Sequence, residues 1–328
     1  MSALEQLAER TRSGFPNLFA ARARTERELR DKRESVREVG VDDDAAVVLF
    51  GSWGRHELTP HSDDDWVILV NGGERDGVRP STDEMERRIG VAERKPGAQG
   101  VFGDIVFCDH LVGRIGLDTD DNRNLTRRVL LLLESQPVAN DRVHRDCWER
   151  VLEGYLDDSV KDFRPPRFLL NDVIRYWRTI CVDFVGKERQ GTGEKWALRN
   201  LKLRTSRRVL FAGGLLPILL CHRHSAKEMR PFLVSRLALP PTDRLAAAFL
   251  DCDVPDAGVR ALGAYDRWIE MLCDEAVRAE LNAIPRSDVD TSLAYQEGRR
   301  LAEELEQGLL ALLFETPLAS LVREYGIF

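Results

Sequence analysis

Residues 51–66 read Gly-Ser-Trp-Gly-Arg-His-Glu-Leu-Thr-Pro-His-Ser-Asp-Asp-Asp-Trp, and they join two short apolar runs, 45–50 and 66–70. Each run is rich in Val or Ile and is closed by turn residues, Gly51 for the first and Asn71-Gly72-Gly73 for the second, so both are predicted to be β-strands. Gly51 and Ser52 then stand where a strand turns, a place where backbone N–H groups and a hydroxyl can face phosphate oxygens. Asp63 and Asp65 open the next strand two residues apart, and the strand period of two puts both carboxylates on one face. Such a pair suits Mg²⁺, or Mn²⁺ in its place, because the ion takes few protein ligands and lets phosphates and waters complete its octahedron.

Outward from this stretch, residues 102–107 predict a third strand, and Asp104 at its start is the best candidate for a third carboxylate of a two-metal site. Asp109 is the reserve, at the strand's far end. Residues 2–38 carry many Arg/Glu pairs at helical spacing and predict a charged lead-in helix, and residues 81–91 predict a helix between the second and third strands. From residue 122 onward the pattern is helical, with helices expected at 124–135, 143–157, 167–186, 194–212, 226–237, 243–250, 259–281 and 291–314. The expected class is α+β: a small mixed-sheet domain over residues 1–121, then an all-helical domain over 122–328 that lines a cleft.

The spacing of residues 51–65 resembles the DNA polymerase β-like nucleotidyltransferases, whose signature is Gly-Ser or Gly-Gly, a spacer and Asp-x-Asp. The spacer is most similar to the nucleotidyltransferase domain of PII-protein uridylyltransferases and related bacterial proteins of unassigned substrate: Gly51, Gly54, Arg55, Glu57, Leu58, Pro60, Ser62, Asp63 and Asp65 all fit it. The resemblance implies transfer of a nucleoside monophosphate from an NTP to a hydroxyl acceptor, with loss of pyrophosphate. It implies metal binding by Asp63, Asp65 and Asp104, and nucleotide contacts from Gly51, Ser52, Arg55 and Ser62. Two features depart from the family. Asp64 stands where an apolar residue is usual, so the opposite face of that strand is expected to be hydrogen-bonded. No cyclohydrolase-like or small-ligand-sensing region follows, which leaves protein, RNA 3′ end, small molecule and nucleotide all open as acceptors.

The helical half supplies candidate cations. On residues 167–186, Leu169, Val173, Trp177, Ile180 and Phe184 share one wheel face, with Asn171, Arg175 and Arg178 opposite. Arg175-Tyr176-Trp177 resembles a basic-x-Trp helix of this superfamily's second domain and makes Arg175 a nucleotide-contact candidate. Residues 195–208 hold six basic residues and no acid, and Lys195, Arg199, Lys202 and Ser206 form a stripe suited to a triphosphate. A solvated basic face is the alternative. Two other functions stay open: a catalytically silent NTP-binding regulatory module, and an RNA-binding protein using 195–208.

A net charge of −7, from 48 basic and 55 acidic residues, argues against a protein that coats DNA. No apolar run approaches a bilayer span and the charged N-terminus is unlike a signal peptide, so a cytoplasmic protein without a membrane partner is expected. The six cysteines lack zinc spacing, and Cys221-His222-Arg223-His224 reads as the solvated end of an apolar helix.

Overall fold

The computed structural model describes residues 1–12, 14–37, 43–74, 100–156, 160–190 and 195–326. The helix expected at 81–91 lies outside them. Strands β1 (Ala45–Leu49), β2 (Trp66–Val70), β3 (Asp104–Phe107) and β4 (Gln136–Ala139) form one mixed sheet in the order β3-β2-β1-β4. β1 runs antiparallel to β2 and β4, while β2 and β3 are parallel, with Val67 opposite Asp104.

Every residue of β1 and β2 is buried, which explains their unbroken apolar runs: both faces of the sheet are covered. One face carries Ala46, Val48, Phe50, Val67, Leu69 and Val106 into a large apolar cluster shared with the helices. The other carries Val47, Leu49, Trp66 and Ile68 against Leu29 and Val36 of α2 (Pro16–Arg37), together with Trp53 and Leu58. Both tryptophans of the 51–66 stretch are therefore packing residues. The lead-in is two helices rather than one, α1 (Ala3–Ala8) and α2, parted near Gly14, whose φ of +63° no helix accommodates.

The remaining helices are α3 (Cys108–Gly113), α4 (Asn122–Leu133), α5 (Asp141–Glu153), α6 (Arg167–Gln190), α7 (Trp196–Arg204), α8 (Ser206–Leu220), α9 (Ala226–Leu237), α10 (Pro241–Asp251), α11 (Pro255–Cys273), α12 (Glu275–Ala283), α13 (Leu293–Phe314) and α14 (Leu318–Tyr325). Two expected helices are split. Thr205, at φ −119° and ψ −91°, separates α7 from α8, and Asp274, extended and capping Val277, separates α11 from α12. A division after residue 121 cuts the sheet, because β4 follows α4 and pairs with β1; Pro137 is tolerated on this edge strand and biases Gln136 toward an extended backbone, and four residues are too few to give a strand signal.

Among the described residues no single helix is long and apolar enough to cross a membrane, and all six cysteines are free thiols. Cys221–Arg223 is a 3₁₀ turn closing α8; it is a helix end, but Cys221 is buried rather than solvated, and the His224 ring packs 4.2 Å from Phe232.

Candidate functional site

The site begins with two glycines that nothing else can replace. Gly51 has φ +66°, and a Cβ on it would stand 3.1 Å from Asp65 Oδ2, so conformation and space both demand glycine. After it the chain coils: Arg55 N donates to Gly51 O at 3.0 Å and Glu57 N to Ser52 O at 2.8 Å. Gly54 then lies flat on the end of α4, where a Cβ would fall 1.7 Å from Glu134 O.

Arg55 clamps this turn. Its guanidinium donates to Glu57 at 2.9 Å and to Glu134, and Glu57 also accepts from Tyr265 Oη on α11 at 2.7 Å. Burial works against the Arg55 charge, but Glu134 and Glu57 outweigh it and raise its pKa further. Burial likewise pushes the Glu57 carboxyl up, with Arg55 opposing. Arg55 lines the cavity, and its bonds to two carboxylates hold the turn in place.

The three consecutive aspartates divide between the two sides of the sheet. Asp64 is fully buried on the α2 side, accepting from Trp53 Nε1 at 3.0 Å and Lys32 Nζ at 2.8 Å, which is the hydrogen-bonded opposite face the sequence implied. Asp63 and Asp65 face the helices and line a cavity of about 230 Å³ together with Gly51, Ser52 and Ser62. Ser62 Oγ accepts from Thr59 N at 3.0 Å and so holds the loop shut.

The facing wall is cationic. Lys202 from α7, Arg207 from α8 and Arg278 from α12 line it, with Tyr176, Ile180 and Asp183 of α6 beside them. Burial and the neighbouring Arg278 pull the Lys202 amine down to about 8, while Asp63 works in the other direction. Arg278 donates to His61 O at 2.9 Å, tying α12 to the Asp-bearing loop. Lys187, at the end of α6, is lowered by burial and by Arg207 and Arg199, with Asp183 and Asp65 opposing, so it stands within electrostatic reach of the same carboxylates.

Other expected residues fall elsewhere. Asp104 opens β3 opposite Val67, which puts it at the same end and on the same face of the sheet as Asp65. Its side chain nevertheless stands outside the cavity lining, 55% exposed and paired with Arg127 Nη2 at 3.0 Å. No group of three or more His, Cys, Asp or Glu side chains is assembled for a metal among the described residues. Asp109 lies in α3 at the opposite end of the strand, bound to Arg150, too far along to join.

Arg175 is a correction: it donates to Asp120 O at 2.9 Å and pairs with Asp120 Oδ2, bracing the loop before α4 rather than facing the cavity. Lys195 and Arg199 are also corrected, because α7 enters the wall only at its C-terminal turn and leaves both exposed outside the lining. Tyr176, the residue after Arg175 on α6, is buried against the cavity. Missed from sequence were Lys187, Arg207, Glu134 and Arg278. Arg207 lay inside the basic run, but the break at Thr205 changes which residues share its face; Arg278 comes from a helix with no basic stripe to flag it. No protein-family model and no curated protein sequence matches the chain.

Proposed function

We propose that the chain is a Mg²⁺-dependent nucleotidyltransferase of the DNA polymerase β-like type, which moves a nucleoside monophosphate from an NTP to a hydroxyl acceptor and releases pyrophosphate. The observation that carries this reading is a single cavity in which the Gly51–Ser52 turn and the Asp63 and Asp65 carboxylates face Lys202, Arg207 and Arg278. Two hard oxygen donors at one end of the cavity and a cationic wall at the other suit a metal-bound triphosphate.

The carboxylates that fit Mg²⁺ here are Asp63 and Asp65. The ion, when bound, would neutralise phosphate oxygens and lower the pKa of the acceptor hydroxyl. Asp104 is assigned as the third carboxylate: it sits on the correct face, and the ion pair it would leave is an exposed one, worth at most about 1 kcal/mol. Lys202, Arg207 and Arg278 would hold the β- and γ-phosphates and offset the charge on departing pyrophosphate. Arg55, Glu57, Glu134 and Tyr265 keep the Gly51–Ser52 turn in place, and Tyr176, Ile180 and Phe102 offer the base an apolar flank.

The test incubates purified protein with Mg²⁺, each α-labelled NTP and separated protein, RNA and metabolite fractions, following label and pyrophosphate together. Transfer by the wild type and its loss in Asp65→Asn supports the reading. Equal turnover in Asp65→Asn removes it.

A further inference from the structure

A second cavity, of about 370 Å³, lies beside the first. Glu134 lines both: its carboxylate reaches Arg55 in the cleft, while its neighbours Gly54 and Ser135 face the second space. The rest of the second lining comes from His56, the end of α4, the start of β4, α5, the end of α9, the turn after it and Arg244 of α10.

Its polar groups are arranged unusually. Arg244 is only 2% exposed, yet its guanidinium donates to backbone carbonyls, those of Leu133, Leu239 and Gly213, and makes no ion pair among the described residues. A buried cation with no carboxylate is costly, and its pKa falls to about 9 through burial, against Glu134 and Asp243. Arg145 stands exposed at the rim, also without an ion pair among the described residues. The acids of the lining do little to offset these charges: Glu134 is taken by Arg55 and Glu149 by Arg230, and Asp141 is exposed.

Two imidazoles complete the polar set. Burial holds His144 down at about 4, with Nε2 on Ser135 Oγ at 2.8 Å, and His56 Nδ1 is buried with no hydrogen-bond partner. Neutral imidazoles, two guanidinium groups without an ion pair among the described residues and the apolar side chains of Trp148, Pro137 and Pro240 match a ring that carries negative charge.

We infer that this cavity binds a small aromatic or heteroaromatic anion, its ring against Trp148 and Pro240 and its acidic group between Arg244 and Arg145. The site shares Glu134 with the cleft but takes no part in the chemistry assigned there. Its probe is 1-anilinonaphthalene-8-sulfonate, an aromatic anion whose emission rises in apolar surroundings, titrated into the full chain with and without saturating Mg²⁺-ATP. One saturable site per chain is expected, with affinity unchanged by Mg²⁺-ATP and by Asp65→Asn.

Arg145→Glu, at an exposed position that leaves folding intact, is expected to weaken the dye about tenfold or more, since the charge at the rim is reversed. Leu239→Trp, which fills the space, is expected to abolish binding while circular dichroism shows a folded chain. Displacement of the dye by Mg²⁺-ATP, or equal affinity in Arg145→Glu, overturns the assignment. Because the titration needs no turnover, its failure is distinct from failure of the nucleotidyltransferase reading.

Discussion

Asp64→Leu tests the division of the three aspartates by strand pleat. The wild-type carboxylate is 0% exposed and satisfied by Trp53 Nε1 at 3.0 Å and Lys32 Nζ at 2.8 Å. Removing it leaves the Lys32 ammonium without this buried partner, and breaking one side of a buried pair costs about 3–5 kcal/mol. The indole N–H loses its acceptor in the same place, a desolvation penalty of about 1–3 kcal/mol that overlaps the first and is not simply added. A loss of about 4 kcal/mol is therefore expected in urea unfolding followed by circular dichroism. Asp64→Leu with Lys32→Met removes both charges and is expected to recover half or more of the loss, as apolar replacement of a buried pair usually does. Nucleotide affinity stays within twofold of wild type, because Asp64 points away from the cavity. Asp65→Asn shows the reverse pattern, with unfolding free energy within about 1 kcal/mol of wild type and transfer abolished. Should Asp64→Leu unfold within about 1 kcal/mol of wild type, or should its nucleotide binding collapse while the fold persists, the assignment of sides is wrong.

Asp104→Asn is expected to bind Mg²⁺-NTP within a few fold by calorimetry while losing about 10²-fold in transfer rate, and Arg127→Ala to keep its rate; normal transfer by Asp104→Asn would leave that carboxylate as a surface partner of Arg127 only. With Lys202 near 8 and the cation needed for phosphate, nucleotide affinity is strongest below pH 8 and falls as pH rises through that value, whereas Lys202→Met shows weaker, pH-flat binding over pH 7–9 by fluorescence titration. A wild-type profile flat through pH 9 would remove Lys202 from the phosphate site. Gly54→Ala places a methyl 1.7 Å from Glu134 O and is expected to lower the melting temperature by about 10 °C or more, or to prevent folding; an unchanged melting curve would mean the turn does not rest on α4 as described.

The sheet's first two strands and the acidic pair were legible because each signal is local: five buried apolar residues in a row, a glycine at the turn, and carboxylates at the period of two. The partners of those signals were less visible. Arg207 and Lys202 come from one basic run, and a break at Thr205 that no glycine or proline announces decides which of its cations meet the cavity. Arg278 and Tyr265 reach the site only through the packing of α11 and α12, a tertiary fact that a wheel drawn on one segment cannot contain. Arg175 misled for the opposite reason: its helix position was right, but Asp120, 55 residues earlier, claims its guanidinium. β4 left almost no trace, since Gln-Pro-Val-Ala is too short to carry a pattern.

The Arg55 clamp bears on how the chain acquires its shape. Glu57 receives its hydroxyl from Tyr265, 208 residues away; Asn17 and Leu18 bond Asp266, and Arg22 pairs with Asp243. The turn at Gly51 is thus completed by a segment made 208 residues after Glu57, and such long loops are slow to close. A ribosome-bound chain ending at residue 240 is expected to hold its first strands without a rigid Gly51–Asp65 loop, leaving that loop sensitive to protease until α11 emerges. The cavity beside Gly51 therefore matures only after α11 has emerged.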